Sequence, residues 1–254
     1  LYSILRTINN KTLLSYQKYM CKYLHINTHT KKYFDLMDIY VIHLKERYDK
    51  KKYILNHLND HNIIHYTIFD GIRIKKEELS RIHYIKSETF LNYLNLNYVL
   101  GASGCKISHY ECLKSVNKNK AYSLILEDDV VLEPYFMYYI YFSLEVIQNK
   151  NLDFDLLYLG ANLEKKEDAY LIEPNILKIL KPKTTTAYLV NHSSLDKILD
   201  IIDKSTHEID EVYASSNELN KLCVYPMIAH QNDLSSDIVN NNDYQNYHEK
   251  FSYE

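Results

Sequence analysis

Apolar residues in this chain fall into short continuous runs, separated by stretches in which they recur every three or four positions. Residues 39–44, Ile-Tyr-Val-Ile-His-Leu, form one such run; residues 63–69 form another, closed by Asp70-Gly71. Runs this short read as strands buried on both faces, as in a parallel sheet. Between them a charged segment opens at Lys45, and Ile54, Leu55 and Leu58 take helical spacing as its inner face. Strand, helix and strand at this spacing predict a βαβ unit. Arg47, Lys50, Lys51 and Lys52 read mostly as a solvated face of that helix, with Arg47 near the carboxyl end of the first strand.

The same alternation continues along the chain. Residues 72–100 are amphipathic but broken, which predicts an irregular helical region. Gly101 and Gly104 allow a tight turn, after which Ile107, Tyr110, Leu113 and Val116 recur at helical spacing until residues 117–120 end the helix. Residues 122–126 form a third buried strand. Pro134 and the run through Ile147 predict a helix, and residues 153–160 a strand leading into a polar loop. Residues 176–180 and 185–190 predict a pair of short strands around Pro182. Residues 192–203 predict a helix with Leu195, Ile198, Leu199 and Ile202 on one face, where Ser193 and Asp196 approximate a capping box. A last strand falls at residues 222–226. Spacing of Leu13, Leu14, Tyr16, Tyr19 and Met20 predicts a helical extension over 1–37, leaving a main domain at 38–240 and a polar tail at 241–254.

The third strand carries the chemistry. Its apolar run meets Glu127, Asp128 and Asp129 without a break. Open sheets of this kind bind ligands just beyond the carboxyl ends of their strands, and three adjacent carboxylates are relieved most simply by a divalent cation. A solvated acidic turn, or Asp129 capping the next helix, is the alternative. A second acid cluster, Glu208-Ile209-Asp210-Glu211, falls in or near a loop. His109, in mid-helix, is either a satisfied structural histidine or a ligand.

Composition narrows the class. The chain has 254 residues, 46% hydrophobic and 25% charged, with net charge −3, enough for a substantial core. No apolar run approaches the roughly 18 residues needed to span a bilayer. Near-neutral charge and scattered lysines argue against a dedicated nucleic-acid surface. Cys21, Cys105, Cys112 and Cys223 form no CxxC pair, so buried free thiols and a reducing compartment are expected. Heavy use of Lys, Asn, Ile and Tyr, all with AT-rich codons, reads as genome bias of a parasite or large DNA virus. Only four glycines are present, and neither GxGxxG nor a P-loop can be written with them. Any bound phosphate therefore needs another neutralising group, and a metal on the acid cluster is the obvious one.

Taken in order, these segments resemble glycosyltransferase family 25, which contains bacterial lipooligosaccharide galactosyltransferases and procollagen galactosyltransferases. The family's opening strand, INLxxRxxR, has its counterpart in IHLKERYDKK, where His43 replaces the asparagine, Arg47 is kept and lysines replace later arginines. Phe69-Asp70-Gly71, the GCKISH of residues 104–109 and the LEDDV of residues 126–130 match further tags. Leu157-Tyr158-Leu159-Gly160, Thr186-Ala187-Tyr188-Leu189, Ile209-Asp210-Glu211 and Ser236-Asp237-Ile238 follow in family order. A departure is the absence of the proline usual before the acid at 210. The resemblance covers about residues 39–238.

The resemblance implies an A-type glycosyltransferase fold, Rossmann-like, with a mixed but mainly parallel sheet between helices. It implies an inverting enzyme that moves galactose or glucose from a UDP-sugar, with Mn²⁺ or Mg²⁺ on a DxD-like motif, to a glycan or hydroxylysine acceptor. Asp129 and Glu127 are then expected at the metal and Asp128 at the nucleotide. His43, Leu44 and Arg47 are expected to flank uracil or ribose, with Ser108 and His109 facing the same cleft or holding their helix to the sheet. Asp210 is the expected catalytic base, with Glu211 the runner-up, because the metal-bound acids lie on the leaving-group side. A member that binds sugar-nucleotide or glycan without transfer is the alternative from another class. A carboxylate-metal phosphohydrolase is disfavoured, since such clusters add histidines or further acids near the first motif.

Overall fold

A computed structural model describes residues 33, 35–81, 96–163 and 165–232. Residues 1–32 and 34 of the helical extension expected over 1–37, residues 82–95, the Ser236-Asp237-Ile238 tag and the polar tail lie outside the described residues, and Met37 already belongs to the first strand.

The strands are β1 (Met37–His43), β2 (Thr67–Asp70), β3 (Tyr122–Glu127), β4 (Val130–Leu132), β5 (Leu156–Tyr158) and β6 (Asn162–Leu163). There follow β7 (Ala169–Glu173), β8 (Ile176–Ile179), β9 (Pro182–Lys183), β10 (Ala187–Asn191), β11 (Lys221–Val224) and β12 (Ala229–Gln231). Eight of them make one sheet in the order β2-β1-β3-β10-β5-β11-β8-β7. β2, β1 and β3 are parallel neighbours, β10 runs against both β3 and β5, and β11 is parallel to β5. β8 opposes β11 and β7 opposes β8. Six of the eight strands thus share a direction, and only β10 and β8 are reversed. The sheet is mixed and mainly parallel.

Side chains alternate across it with the period of two that strands impose. Ile39, Val41, Leu124 and Leu126 face one layer with α1 (Tyr48–Asp60) and the helix Phe136–Asn149. Tyr40, Ile125, Tyr188 and Val190 face the other layer with the helices Leu96–Ser115, Leu195–Lys204 and Ile209–Ser215. We number these α2 (Leu96–Ser115), α3 (Phe136–Asn149), α4 (Leu195–Lys204) and α5 (Ile209–Ser215). Val41, Leu124, Ile125 and Leu126 are completely buried, each side chain contributing about 1.5–3 kcal/mol by leaving water. Two-sided burial is why these strands read as unbroken apolar runs.

Several expectations need correction. Gly101 and Gly104 make no turn: α2 begins five residues earlier and runs through both. Gly104 is required instead by a close approach, since a Cβ there would fall 2.6 Å from the Ile72 carbonyl oxygen. Ile107 and Tyr110 are only half-buried, and the buried face of α2 passes through Val99, Ala102, Lys106, His109 and Cys112. The second strand covers only Thr67–Asp70, the positions that reach β1. The two short strands expected around Pro182 are present as β8 and β10, with β8 pairing with β7 and β11; β7 replaces part of the polar loop expected after Gly160. No capping box opens α4: the Asn191 side chain accepts from the Ser193 N–H, and a short 3-10 turn, His192–Ser194, leads in. The second acid cluster sits where a loop meets a helix: Glu208 ends the loop, and Asp210 and Glu211 fall in the first turn of α5. Lys50 does not belong to a solvated face either. Lys51 and Lys52 are exposed, but Lys50 is only 6% exposed.

A two-stranded sheet of β4 and β12 closes the structure beside the main one. The Leu159 carbonyl accepts from the N–H groups of Ile228 and Ala229, and Gly160 makes room, since a Cβ at that position would collide with the Ala229 carbonyl. This docking carries Gln231 and Asn232 to the end of β3.

Candidate active site

β3 ends at Glu127, and a turn through Asp128 and Asp129 leads into β4. Beside it β10 runs antiparallel, so the residues preceding β10 lie level with the end of β3. The Glu127 N–H donates to the Thr186 carbonyl at 2.9 Å. The Thr185 hydroxyl then lies 2.8 Å from Glu127 Oε1 and 3.0 Å from Asp210 Oδ1. Thr184, at φ 74°, turns its N–H onto Asp210 Oδ2 at 3.0 Å. α2 contributes His109, with Nε2 3.1 Å from Glu127 Oε1 and Nδ1 2.7 Å from the Tyr188 hydroxyl. A Tyr188 hydroxyl donating to Nδ1 leaves the Nε2 proton for Glu127.

This arrangement pushes two carboxylates in opposite directions. Burial works to raise Glu127, but the hydrogen bond and charge of His109, the Thr185 hydroxyl and Lys50 outweigh it and hold it below the usual range. Asp210 is pushed up to about 6, first by burial and then by the charges of Glu127 and Glu208, against the bonds from Thr185 and Thr184. The geometry agrees. Thr185 has a single proton for two carboxylates, and all three groups are satisfied together when Asp210 is protonated and donates to Thr185. Acids tuned apart in this way suit different roles in one site.

The neighbouring acids are engaged from α1 and β1. His43 Nδ1 lies 2.8 Å from Asp128 Oδ2, with the imidazole 2% exposed. Lys50 Nζ lies 3.0 Å from Asp129 Oδ2 and 3.4 Å from Asp128 Oδ1. Burial depresses the Lys50 ammonium, but Asp129 and Asp128 more than offset it, and its pKa is raised. Asp129 is raised by burial and by Glu127 against the pull of Lys50. Gln231 Nε2 also reaches Asp129 Oδ2, at 3.3 Å. Asp129 Oδ1 and His43 Nε2 are buried with no hydrogen-bond partner among the described residues.

The remaining expected residues are placed as follows. Leu44 follows β1 and is half-buried, and its carbonyl accepts from the Arg47 N–H. Arg47 pairs with Asp49 through Nε at 3.0 Å and a terminal nitrogen at 2.8 Å. Ser108 donates to the Gly104 carbonyl and accepts from the Ile72 N–H, so it ties α2 to the segment after β2. Glu211 forms an ion pair with Lys183. Sequence reasoning missed Lys50, Thr185, Gln231 and Cys105. A signal existed for Cys105, which is four residues before His109 and therefore on the same helix face.

Two donor sets could take a metal. Cys105, His109 and Glu127 place one ligand atom each within 4.8 Å of one another, the group of this kind found among the described residues. Glu127 and Asp129 offer hard carboxylate oxygens, including the unpartnered Oδ1, and such oxygens fit Mn²⁺ or Mg²⁺.

The model of glycosyltransferase family 25 (LPS biosynthesis protein) matches residues 37–213, from β1 into α5. The chain belongs to this family. Family 25 relatives include procollagen galactosyltransferase 1-A of Xenopus laevis, 25% identical over 171 residues, 64% of this chain and 28% of the relative. Procollagen galactosyltransferase 2 of Homo sapiens is 25% identical over 179 residues, again 28% of its length. The chain therefore spans a little over a quarter of the curated relatives it matches. Among solved structures it is similar to A197 from STIV, at 14% identity and TM-score 0.39, covering 77% of this chain and 84% of that one. It is also similar to a glycosyltransferase involved in glycosylation of the major capsid of PBCV-1, at 12% identity and TM-score 0.34, covering 66% and 67%. The family is one of glycosyltransferases, and this chain carries a candidate metal-coordinating cluster. No helix among the described residues is long and apolar enough to cross a membrane.

Proposed function

We propose that the protein is a metal-dependent, inverting hexosyltransferase that moves galactose or glucose from a UDP-sugar to a glycan or to a hydroxylysine-type acceptor. The observation that carries this reading is the Thr185 bridge between Glu127, held ionised, and Asp210, raised to about 6, at the carboxyl end of β3. A group with that pKa is ionised at neutral pH and still basic enough to take a proton.

Asp210 removes the proton from the acceptor hydroxyl. The hydroxyl oxygen bonds to the anomeric carbon as the bond to the diphosphate breaks, and the electron pair leaves with UDP. Glu211, engaged by Lys183, is the reserve candidate for the base. Asp129 and Glu127 would hold Mn²⁺ or Mg²⁺. When bound, that ion supplies charge neutralisation for the leaving diphosphate. Asp128, oriented by His43, faces the nucleotide, with Leu44 and Arg47 beyond the end of β1 as its flank. His109 fixes Glu127, and Ser108 holds α2 against the cleft wall. Galactose is favoured as the hexose because the curated relatives are named galactosyltransferases.

The test is a screen of UDP-sugars with Mn²⁺, following UDP release with and without hydroxylysine peptides or glycans. Turnover of one donor that falls about 10²-fold or more in Asp210→Asn, with donor affinity kept, is the expected result. Loss of Mn²⁺-dependent UDP-sugar binding in Asp129→Ala is expected beside it. Binding without turnover of any donor would identify a module that holds sugar-nucleotide without transfer.

A further inference from the structure

Lys50 is a buried charge at the acid cluster to which this mechanism gives no role. It occupies the first turn of α1, where Lys51 and Lys52 point to solvent, yet it turns inward to bridge Asp128 and Asp129. An ammonium at that depth needs partners, and where Lys106 and Lys221 are held by backbone carbonyls, Lys50 is held by two carboxylates. Asp129 is used unevenly: Oδ2 takes both Lys50 and Gln231, while Oδ1 is buried with no partner. A buried carboxylate oxygen left open in this way is suited to a cation.

We propose that Lys50 is a resident counter-ion that competes with the divalent metal for Asp128 and Asp129, then passes to the donor's diphosphate once the metal is bound. The inference rests on the metal-dependent reading above. A dication on Oδ1 would lie within one carboxylate's width of the ammonium on Oδ2, and like charges that close repel strongly in a buried site. The ammonium sits on a flexible four-carbon stem and can swing away. It cannot be left unpaired, and the anion that reaches this end of the sheet with the metal is the diphosphate. Metal and nucleotide affinities should therefore be coupled through Lys50, and such coupling is reciprocal. If Lys50 were a purely structural strut between α1 and the β3–β4 turn, replacing it would leave the coupling through the metal unchanged.

Calorimetry on the full chain tests this, titrating Mn²⁺ alone and then in the presence of UDP. In wild type, UDP should tighten Mn²⁺ binding; independent binding of the two overturns the proposal without any variant. Lys50→Met should bind Mn²⁺ alone about 10-fold or more tighter than wild type, and the tightening by UDP should shrink by a similar factor. Lys50→Gln gives the same reading if the methionine variant does not fold. Wild type binding Mn²⁺ and a folded variant binding it equally or more weakly overturns the role of Lys50 alone. No Mn²⁺ binding by either protein overturns the metal reading, and the competition with it.

Discussion

Replacing Asp210 by Asn should make the protein more stable and less active, and the stability gain should appear only above a definite pH. The carboxyl is raised from 3.8 to about 6, first by burial and then by Glu127 and Glu208. An acid whose folded pKa lies above its unfolded value binds its proton more tightly in the native state. Its penalty is therefore absent below the unfolded pKa, builds between about pH 4 and pH 6, and is complete above the folded pKa. At about 1.36 kcal/mol per unit, a rise of roughly two units sets a ceiling near 3 kcal/mol. Asp210 is half-buried as a residue and its carboxylate points inward, and partial solvent screening brings the expected figure to about 1–2 kcal/mol. Asn also resolves the local hydrogen bonding. Its amide N–H can donate to Thr185, which keeps its own proton for Glu127, and its carbonyl accepts from the Thr184 N–H. Urea denaturation at pH 4 and pH 8, followed by circular dichroism, reads the difference. Equal midpoints at pH 4 and a higher midpoint for the variant at pH 8 are expected. A gain of the same size at both pH values, or none at pH 8, would refute the argument for a strained buried carboxylate.

Other substitutions probe the frame around this site. Thr185→Val removes the shared proton and leaves Asp210 Oδ1 nearer an unscreened Glu127, so the acid limb of the pH–rate profile should move up by about one unit; Thr185→Ser should leave it in place. Gly160→Ala drives a methyl into the Ala229 carbonyl and should cost about 3 kcal/mol or more by detaching the β4–β12 sheet, read as a lowered melting temperature. Asp155, 2% exposed, accepts from Lys197 at 2.6 Å and from the Asn220 N–H at 2.7 Å; Lys197 is itself exposed, so Asp155→Ala should cost about 1.5–3 kcal/mol in urea denaturation. Burial works to raise Asp155, but the bonds from Lys197, Ser194 and Asn220 win and lower it. Its contribution in wild type should accordingly be present above about pH 4 and fade as the pH falls through the depressed value.

The strands that build the site were legible because each is buried on both faces. β1 and β3 read as unbroken apolar runs, and the change from Leu126 to Glu127-Asp128-Asp129 marks where the sheet ends and chemistry begins. The family order of short tags carried the fold further than any single motif. Helix faces were less legible. α2 buries Ser103, Lys106, Ser108 and His109 alongside its apolar residues, so periodicity alone pointed to Ile107 and Tyr110, which are only half-buried. Gly104 read as a turn because a glycine needed for close contact with Ile72 has the same letter as one needed for chain reversal. Lys50 was misread for a related reason. Three consecutive lysines resemble a solvated face, and only the position of α1 against the β3–β4 turn selects the one that points inward.

Thr185 shows why the site itself lay beyond local reading. Glu127 and Asp210 lie more than eighty residues apart in sequence, and neither cluster contains a residue that announces the other. What joins them is the reversal of β10. A parallel strand beside β3 would present its carboxyl end to Glu127, but an antiparallel one presents the residues before its start, and here those are Thr184, Thr185 and Thr186. The Thr186 carbonyl locks the register to the Glu127 N–H, the Thr185 hydroxyl reaches both carboxylates, and the Thr184 N–H fixes the second oxygen of Asp210. Because α5 follows α4 directly on that layer of the sheet, Asp210 in its first turn meets this threonine run rather than solvent. Burial and the charges of Glu127 and Glu208 raise Asp210 against those threonine bonds, and the strand direction that brings the two acids together is not encoded in short-range sequence pattern.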